Sequence, residues 1–238
     1  MTVLVQVIVS LSMNVIDPVA VAYPSSPSRS GVCRSKLCAA CASDGQEPTD
    51  YTSSAFSPPD GQLGSWTIHY LNGSGQKVYN TSAKGATWWD AQCPGSDGGD
   101  RYNHVKEYPR AKLHSRMVGT DAILYCGMTG DEGTEHAFGL RHLREGHQRQ
   151  FAKYAAWEGR DWGSFMNWTV WHAIAEPNNV TNQSATRFCY EKQYIWTNPN
   201  GTQVKRTVAV ILGETGRRVM SAWPRTNGSF TCKGNPIL

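Results

Sequence analysis

The sequence predicts an α+β fold, with N-terminal helices packed on one face of a C-terminal antiparallel β-sheet and the whole stapled by disulfides. Three observations predict it. Apolar residues recur at helical spacing through residues 135–175. Across 186–224, runs of β-branched and aromatic residues alternate with turn residues, as in a sheet built from hairpins. Cys93, Cys126, Cys189 and Cys232 are spread widely through this part of the chain, an even set that reads as two disulfides in one of three pairings.

The elements follow in chain order. With 238 residues there is room for one self-sufficient core and a tail. The apolar run at 3–13 followed by Ala20-Val21-Ala22 reads as a signal peptide over 1–22, although no Lys or Arg precedes the run. It is too short to span a bilayer, so the expectation is a secreted, extracellular chain without stable membrane insertion. Residues 23–64, rich in Ser, Pro, Gly and Asp, read as a flexible linker or pro-segment, or as an arm tied down by Cys33, Cys38 or Cys41. Cys38-Ala-Ala-Cys41 has metal-like spacing, but no second pair or nearby His completes a zinc site. A single α+β domain then fills 65–238.

Within that domain, 65–80 alternates around Asn72-Gly73 and predicts a β-hairpin. Residues 94–103 read as a loop, and 121–126 as a short buried strand or a helical turn. Leu143, His147, Phe151, Tyr154 and Ala155 fall on one helical face, with a break expected at Gly146. A second helix over 164–175 lines a face with Phe165, Trp168, Trp171 and His172 and stops at Glu176-Pro177. Strands follow at 186–196, 204–212 and 217–223, joined by turns at 198–201 and 213–216 and ended by Pro224.

Composition narrows function only a little. The net charge of +4 helps a chain approach phosphate but does not define a nucleic-acid binder. Seven N-x-[S/T] sequons, at Asn72, Asn80, Asn167, Asn179, Asn182, Asn200 and Asn227, would accept glycans in a eukaryotic secretory route. His142 and His147 are the sharpest chemical pair, since one imidazole can take a proton while the other gives one. On an unbroken α-helix they would point about 140° apart, so they converge only if the helix departs from regularity. A zinc set of His136, His142 and His147 with Glu132 or Glu135 matches no common ligand spacing, and no metal or cofactor is expected. In the terminal hairpin, Ser221 and Trp223 share a strand face, and Arg206 joins them if register permits. A guanidinium, a hydroxyl and an aromatic ring on one face suit a phosphodiester and a stacked base. Ser221 lacks a nucleophile elbow, and no carboxylate pair suggests glycoside hydrolysis.

Leu140-Arg-His142-Leu-Arg-Glu-Gly146-His147, then Phe165-Met-Asn-Trp168 through Ile174-Ala-Glu-Pro177, then the strand–turn–strand ending in Ser221-Ala-Trp223-Pro224 occur in a telling order. In that order, over about residues 137–225, the chain resembles the barnase–EndoU–colicin–RelE superfamily of ribonuclease toxins, of the bacterial EndoU or contact-dependent inhibition type. The resemblance implies a secreted toxin or effector that cleaves RNA without a metal and leaves a 2′,3′-cyclic phosphate. His142 and His147 would move protons, Arg206 or Lys205 would hold the phosphate, Ser221 would hydrogen-bond it, and Trp223 and Thr207 would help bind the substrate. RNA and an immunity or inhibitor protein would be the partners of a monomer. The family's Lys-Thr pair after the first His has no counterpart here, Ser and Trp replace Thr and Tyr in the final motif, and the segment before Glu135 has none of the family's features. A non-catalytic binding effector on the same scaffold is the alternative.

Overall fold

The computed structural model describes residues 57–81, 92–94, 98–111, 121–130, 136–213 and 217–237. The expected signal peptide, Cys33, Cys38, Cys41, Glu132, Glu135 and most of the expected linker lie outside them. Among the described residues the fold is α+β, with a mixed sheet of nine strands. These are β1 (Thr67–Leu71), β2 (Lys77–Tyr79), β3 (His104–Tyr108), β4 (Ala122–Tyr125), β5 (Asn179–Ser184), β6 (Arg187–Thr197), β7 (Gln203–Gly213), β8 (Arg218–Pro224) and β9 (Asn235–Pro236). Between β4 and β5 run α1 (Gly139–His142), a π-helical turn (Leu143–His147), α2 (Gln148–Trp157) and α3 (Trp162–Ala175).

The strands lie in the order β2-β1-β6-β7-β8-β4-β3. Strand β6 is long enough to carry two neighbours on one edge, β5 along its first half and β1 along its end. Two expectations need correcting. The helices are not N-terminal to the sheet, because β1 to β4 precede them in the chain. The sheet is not wholly antiparallel either: β4 runs parallel to β8, paired at Ile123↔Arg218. Such a parallel neighbour needs a long crossover, and here the three helices and β5 to β7 supply it.

Strands β6 and β7 are buried along most of their length, which is why they read as nearly continuous apolar runs. Helix α3 covers one face of these two strands. Its N-cap is Asp161, whose carboxylate accepts from Ser164 N at 2.9 Å. It is apolar around most of its circumference, as a helix packed on several sides must be. At the core, Trp196 of β6 meets Tyr154 and Trp157 of α2 and Phe165 of α3 at ring separations of 5.5, 5.8 and 6.0 Å. Each of these side chains contributes about 1.5–3 kcal/mol by leaving water.

The opposite face is covered by the segment after β8. Thr207 N donates to Asn227 O at 3.0 Å, and Gln193 Nε2 to Gly228 O at 2.8 Å. Glu191, fully buried on β6, accepts from Thr231 N, Cys232 N and Asn179 Nδ2 and pairs with Arg225 at 3.3 Å. Cys189 and Cys232 form a disulfide across the same contact, and Cys93 with Cys126 forms the second. The two expected bridges therefore take one of the three possible pairings.

The end of the expected linker is not loose. Gly64 N donates to Ala156 O at 2.9 Å, and Asp60 accepts from Trp66 Nε1 and from Asn198 Nδ2 at 3.1 and 2.8 Å. Strands β1 and β2 form the expected hairpin, but with a five-residue turn rather than a two-residue one. Asn72 Oδ1 holds Ser74 N and Gln76 N, and Gly75 supplies a φ of +75°.

One buried polar cluster lies between α3 and the sheet. The Tyr70 hydroxyl lies 2.9 Å from His172 Nδ1, while the Lys192 ammonium sits 3.9 Å over the Tyr70 ring and donates to Glu176 O. Burial pushes His172 down to about 4 and Lys192 down to about 8, with Glu176 opposing both shifts.

Candidate active site

Gly139 opens α1 with a φ of +75°, and a Cβ there would come within 2.6 Å of Tyr125 O. Only glycine lets the helical segment start this close to the end of β4. The segment then packs against β8, whose pairing with β4 is confined to Arg218.

His142 and His147 converge, and the device is not a break at Gly146. The helix continues through that residue as one π-helical turn, Leu143–His147. Bonding from i to i+5 accommodates one extra residue per turn, so His147 takes the place over His142 that residue i+4 holds in an α-helix. The two imidazole centroids are 5.4 Å apart with their planes at 80°.

Both rings present Nε2 to the same atom. Ser221 Oγ lies 2.9 Å from His147 Nε2 and 3.2 Å from His142 Nε2. A hydroxyl has one proton, so Ser221 donates to one ring and accepts from the other. Gln150 decides which. Its Oε1 is 3.3 Å from His147 Nδ1, and in the tautomer that satisfies this contact Nδ1 carries the proton and Nε2 is the acceptor. His147 Nε2 therefore accepts from Ser221, and His142 donates its Nε2–H to the same hydroxyl. Gln150 is fully buried, and its Nε2 meets no partner. His147 is 5% exposed while His142 is half-buried, so the pair opens to solvent on the His142 side.

Trp223 stacks on His147, with centroids 5.7 Å apart and an interplanar angle of 26°. The Arg225 guanidinium lies 5.5 Å from the Trp223 ring on its way to Glu191. Four sequence-expected residues thus come together: His142, His147, Ser221 and Trp223. Three do not. Register pairs Ile211 with Ser221 and Ala209 with Trp223, which puts odd-numbered β7 residues on their face and Arg206 on the other. The expected sharing of that face by Arg206 does not hold; its Nε donates instead to the Tyr154 hydroxyl at 3.2 Å. Thr207 is on the right face but fully buried beneath the segment that follows β8. Lys205 is exposed but crossed closely by Gly228, where an added Cβ would meet Lys205 Cβ at 2.9 Å.

Sequence reasoning missed Gln150 and Arg225. Gln150 stands three residues after His147, a spacing that puts two side chains on one helical face, and this was its signal. Arg225 directly follows the Ser221-Ala-Trp-Pro224 motif. The sequons also look different in three dimensions. The amide nitrogens of Asn80 and Asn179 donate to the buried carboxylates of Glu158 and Glu191 at 3.0 and 2.7 Å, whereas Asn200 and Asn227 are exposed. Among the described residues no group of three or more His, Cys, Asp or Glu gathers as metal ligands, and no helix is long and apolar enough to cross a membrane.

Compared with known proteins, the chain matches no family model, no curated protein and no solved structure.

Proposed function

We propose that this chain is a metal-independent endoribonuclease, exported as a toxin or effector of the barnase–EndoU–colicin–RelE type. The observation that carries the reading is the convergence of His142 and His147 on Ser221 beside the Trp223 ring. Two imidazoles supply both proton transfers, and the RNA supplies its own nucleophile. His147 Nε2, bare because Gln150 holds the proton on Nδ1, removes the proton of the ribose 2′-OH. The O2′–P bond forms as the P–O5′ bond breaks, and His142 gives its Nε2 proton to the departing O5′. The products are a 2′,3′-cyclic phosphate and a 5′-hydroxyl. Ser221 turns its hydroxyl to a phosphate oxygen, and Trp223 stacks a base. With Arg206 held at Tyr154, the protonated imidazole is the cation that faces the phosphate. The disulfides suit an oxidising, extracellular setting, and an immunity or inhibitor protein would be the second partner.

One observation favours the non-catalytic alternative: the guanidinium that the family resemblance assigns to the phosphate is turned away from the imidazoles. RNA cleavage in excess chelator separates the two. Wild type should cut, while His142→Ala and His147→Ala should each lose about 10²–10⁴ in rate. Absence of cleavage of any RNA leaves the binding effector, and cleavage abolished by chelator removes the metal-independent mechanism.

A further inference from the structure

In the loop before β3 an exposed aromatic ring lies under two cations. Tyr102, just before β3, is 47% exposed. The guanidinium carbons of Arg101 and Arg218 lie 5.4 and 5.3 Å from its ring centroid, and Arg218 also sits 4.3 Å over Phe138. Phe138 and Tyr125 support the ring from behind at 5.9 and 6.1 Å.

The loop that carries Tyr102 is firmly held. Arg141 Nη2 donates to both carboxylate oxygens of Asp100 at 2.6 and 2.7 Å, and its Nη1 donates to Gly127 O at 2.9 Å. Gly127 N and Cys126 N donate to Arg101 O and Asn103 O at 2.8 and 3.0 Å, and Cys126 is bonded to Cys93. Arg141 immediately precedes His142. Arg218 is three residues before Ser221 on β8, about 10 Å along the strand. The ring and the imidazoles therefore stand on one frame. All of these groups except Arg218 and the segment from Arg141 onward fall outside the stretch that resembles the toxin family, apart from the supporting ring of Phe138.

We infer that Tyr102, with Arg101 and Arg218, is a stacking platform for a base of single-stranded RNA flanking the scissile bond. An exposed ring offers aromatic surface to any base, and the guanidiniums of Arg101 and Arg218, which lie over the ring, bring positive charge to the phosphates flanking that base. The arrangement suits a single strand rather than a duplex, whose bases are already stacked on one another. The inference rests on the ribonuclease reading for the choice of RNA, but binding at the platform needs no catalysis.

The test uses the full chain and a fluorescently labelled, 2′-O-methylated single strand of about eight nucleotides, within the site sizes such grooves cover. Anisotropy reads binding without cleavage, and cleavage of a ribodinucleotide, which has no nucleotides beyond the two joined by the scissile bond, is measured in parallel. Tyr102→Ala should weaken oligonucleotide binding about tenfold or more, while Tyr102→Phe stays close to wild type. Arg101→Ala and Arg218→Ala should each lower the steepness of log Kd against log salt by about 0.7. Dinucleotide cleavage should be unchanged in Tyr102→Ala, and melting should confirm that each variant folds. Wild-type affinity in folded Tyr102→Ala, or failure of the wild type to bind the strand, overturns the platform. If the dinucleotide is cut in either case, the ribonuclease reading stands without it. Tyr102-dependent binding with no cleavage keeps the platform and removes the ribonuclease.

Discussion

Removing one hydroxyl distinguishes two chemistries that the same atoms could serve. Ser221 Oγ, His147 Nε2 and Gln150 Oε1 stand in the relation of nucleophile, base and orienting group, at 2.9 and 3.3 Å along the line. In the ribonuclease mechanism Ser221 attacks nothing. Ser221→Ala then removes one neutral hydrogen bond, to His147 at 2.9 Å, and one to the protonated His142 at 3.2 Å. A neutral bond is worth about 1 kcal/mol net and one to a charged group about 1.5 kcal/mol, so the loss is about 2.5 kcal/mol, or about 70-fold in kcat/KM. His147→Ala removes the base itself and should cost about 10²–10⁴. The double variant should fall below His147→Ala by less than the full Ser221→Ala factor, because the hydroxyl acts partly through that imidazole and partly on His142 and the phosphate. A quenched fluorogenic oligoribonucleotide in excess chelator measures all four proteins, with thermal melting as the check on folding. If Ser221→Ala alone loses as much as His147→Ala, the hydroxyl is a nucleophile and the RNA-based mechanism is wrong.

Other consequences of the structure are measurable. Glu191→Ala leaves two backbone N–H groups, the Asn179 amide and the Arg225 guanidinium facing a gap, so urea unfolding should show a loss of about 3–5 kcal/mol; a loss under about 1 kcal/mol would mean that the segment after β8 is not held by this carboxylate. Burial lowers His172 from 6.5 to about 4, so between these values the unfolded chain binds more protons and stability should fall as acid is added, being complete above pH 6.5. His172→Gln keeps a hydrogen-bonding group beside the Tyr70 hydroxyl, and the melting temperature of that variant should be flatter from pH 6.5 to 4; an unchanged slope would place the acid sensitivity elsewhere. Produced through a eukaryotic secretory route, the folded chain should carry glycans at Asn200 or Asn227 and none at Asn80 or Asn179, whose amides hold buried carboxylates. Peptide mapping that finds Asn80 or Asn179 modified in folded protein would contradict the hydrogen bonding described.

The α2 and α3 helices and strands β6 to β8 were legible because their burial is periodic or continuous, and Leu143, His147, Phe151, Tyr154 and Ala155 do share a buried face. Strand β5 was not. Its Asn-Val-Thr-Asn-Gln-Ser sequence has loop composition, and it is extended only because β6 and β9 pair with its two edges. The parallel β4–β8 contact is equally non-local, with ninety-odd residues of chain between its partners. For the site, the sequence contained the four residues that meet but not the way they meet. Gly146 suggests a break to a reader of propensities. A π turn costs nothing that composition displays, since any residue can fill it, and only the packing of α1 and α2 on β8 selects it. Arg206 failed for the opposite reason: alternation along β7 is fixed, but which half of it faces Ser221 depends on the bulge between Ile211 and Leu212.

The Cys189–Cys232 bond gives the proposed site a dependence on time. It closes a separation of 43 residues, which in the chain-entropy account is worth about 4 kcal/mol. Its sulfurs belong to the small apolar cluster of Ala209 and Ile211 against which Trp223 packs from behind, and Trp223 in turn stacks on His147. On the proposed toxin reading, the chain would pass from oxidising surroundings outside cells to reducing ones inside, where this bond would open. Entry would then start a clock. The support behind the stacking ring is strongest on arrival and slackens at the rate of thiol exchange, so the working life of each molecule would be set by the reductant of the cell it enters.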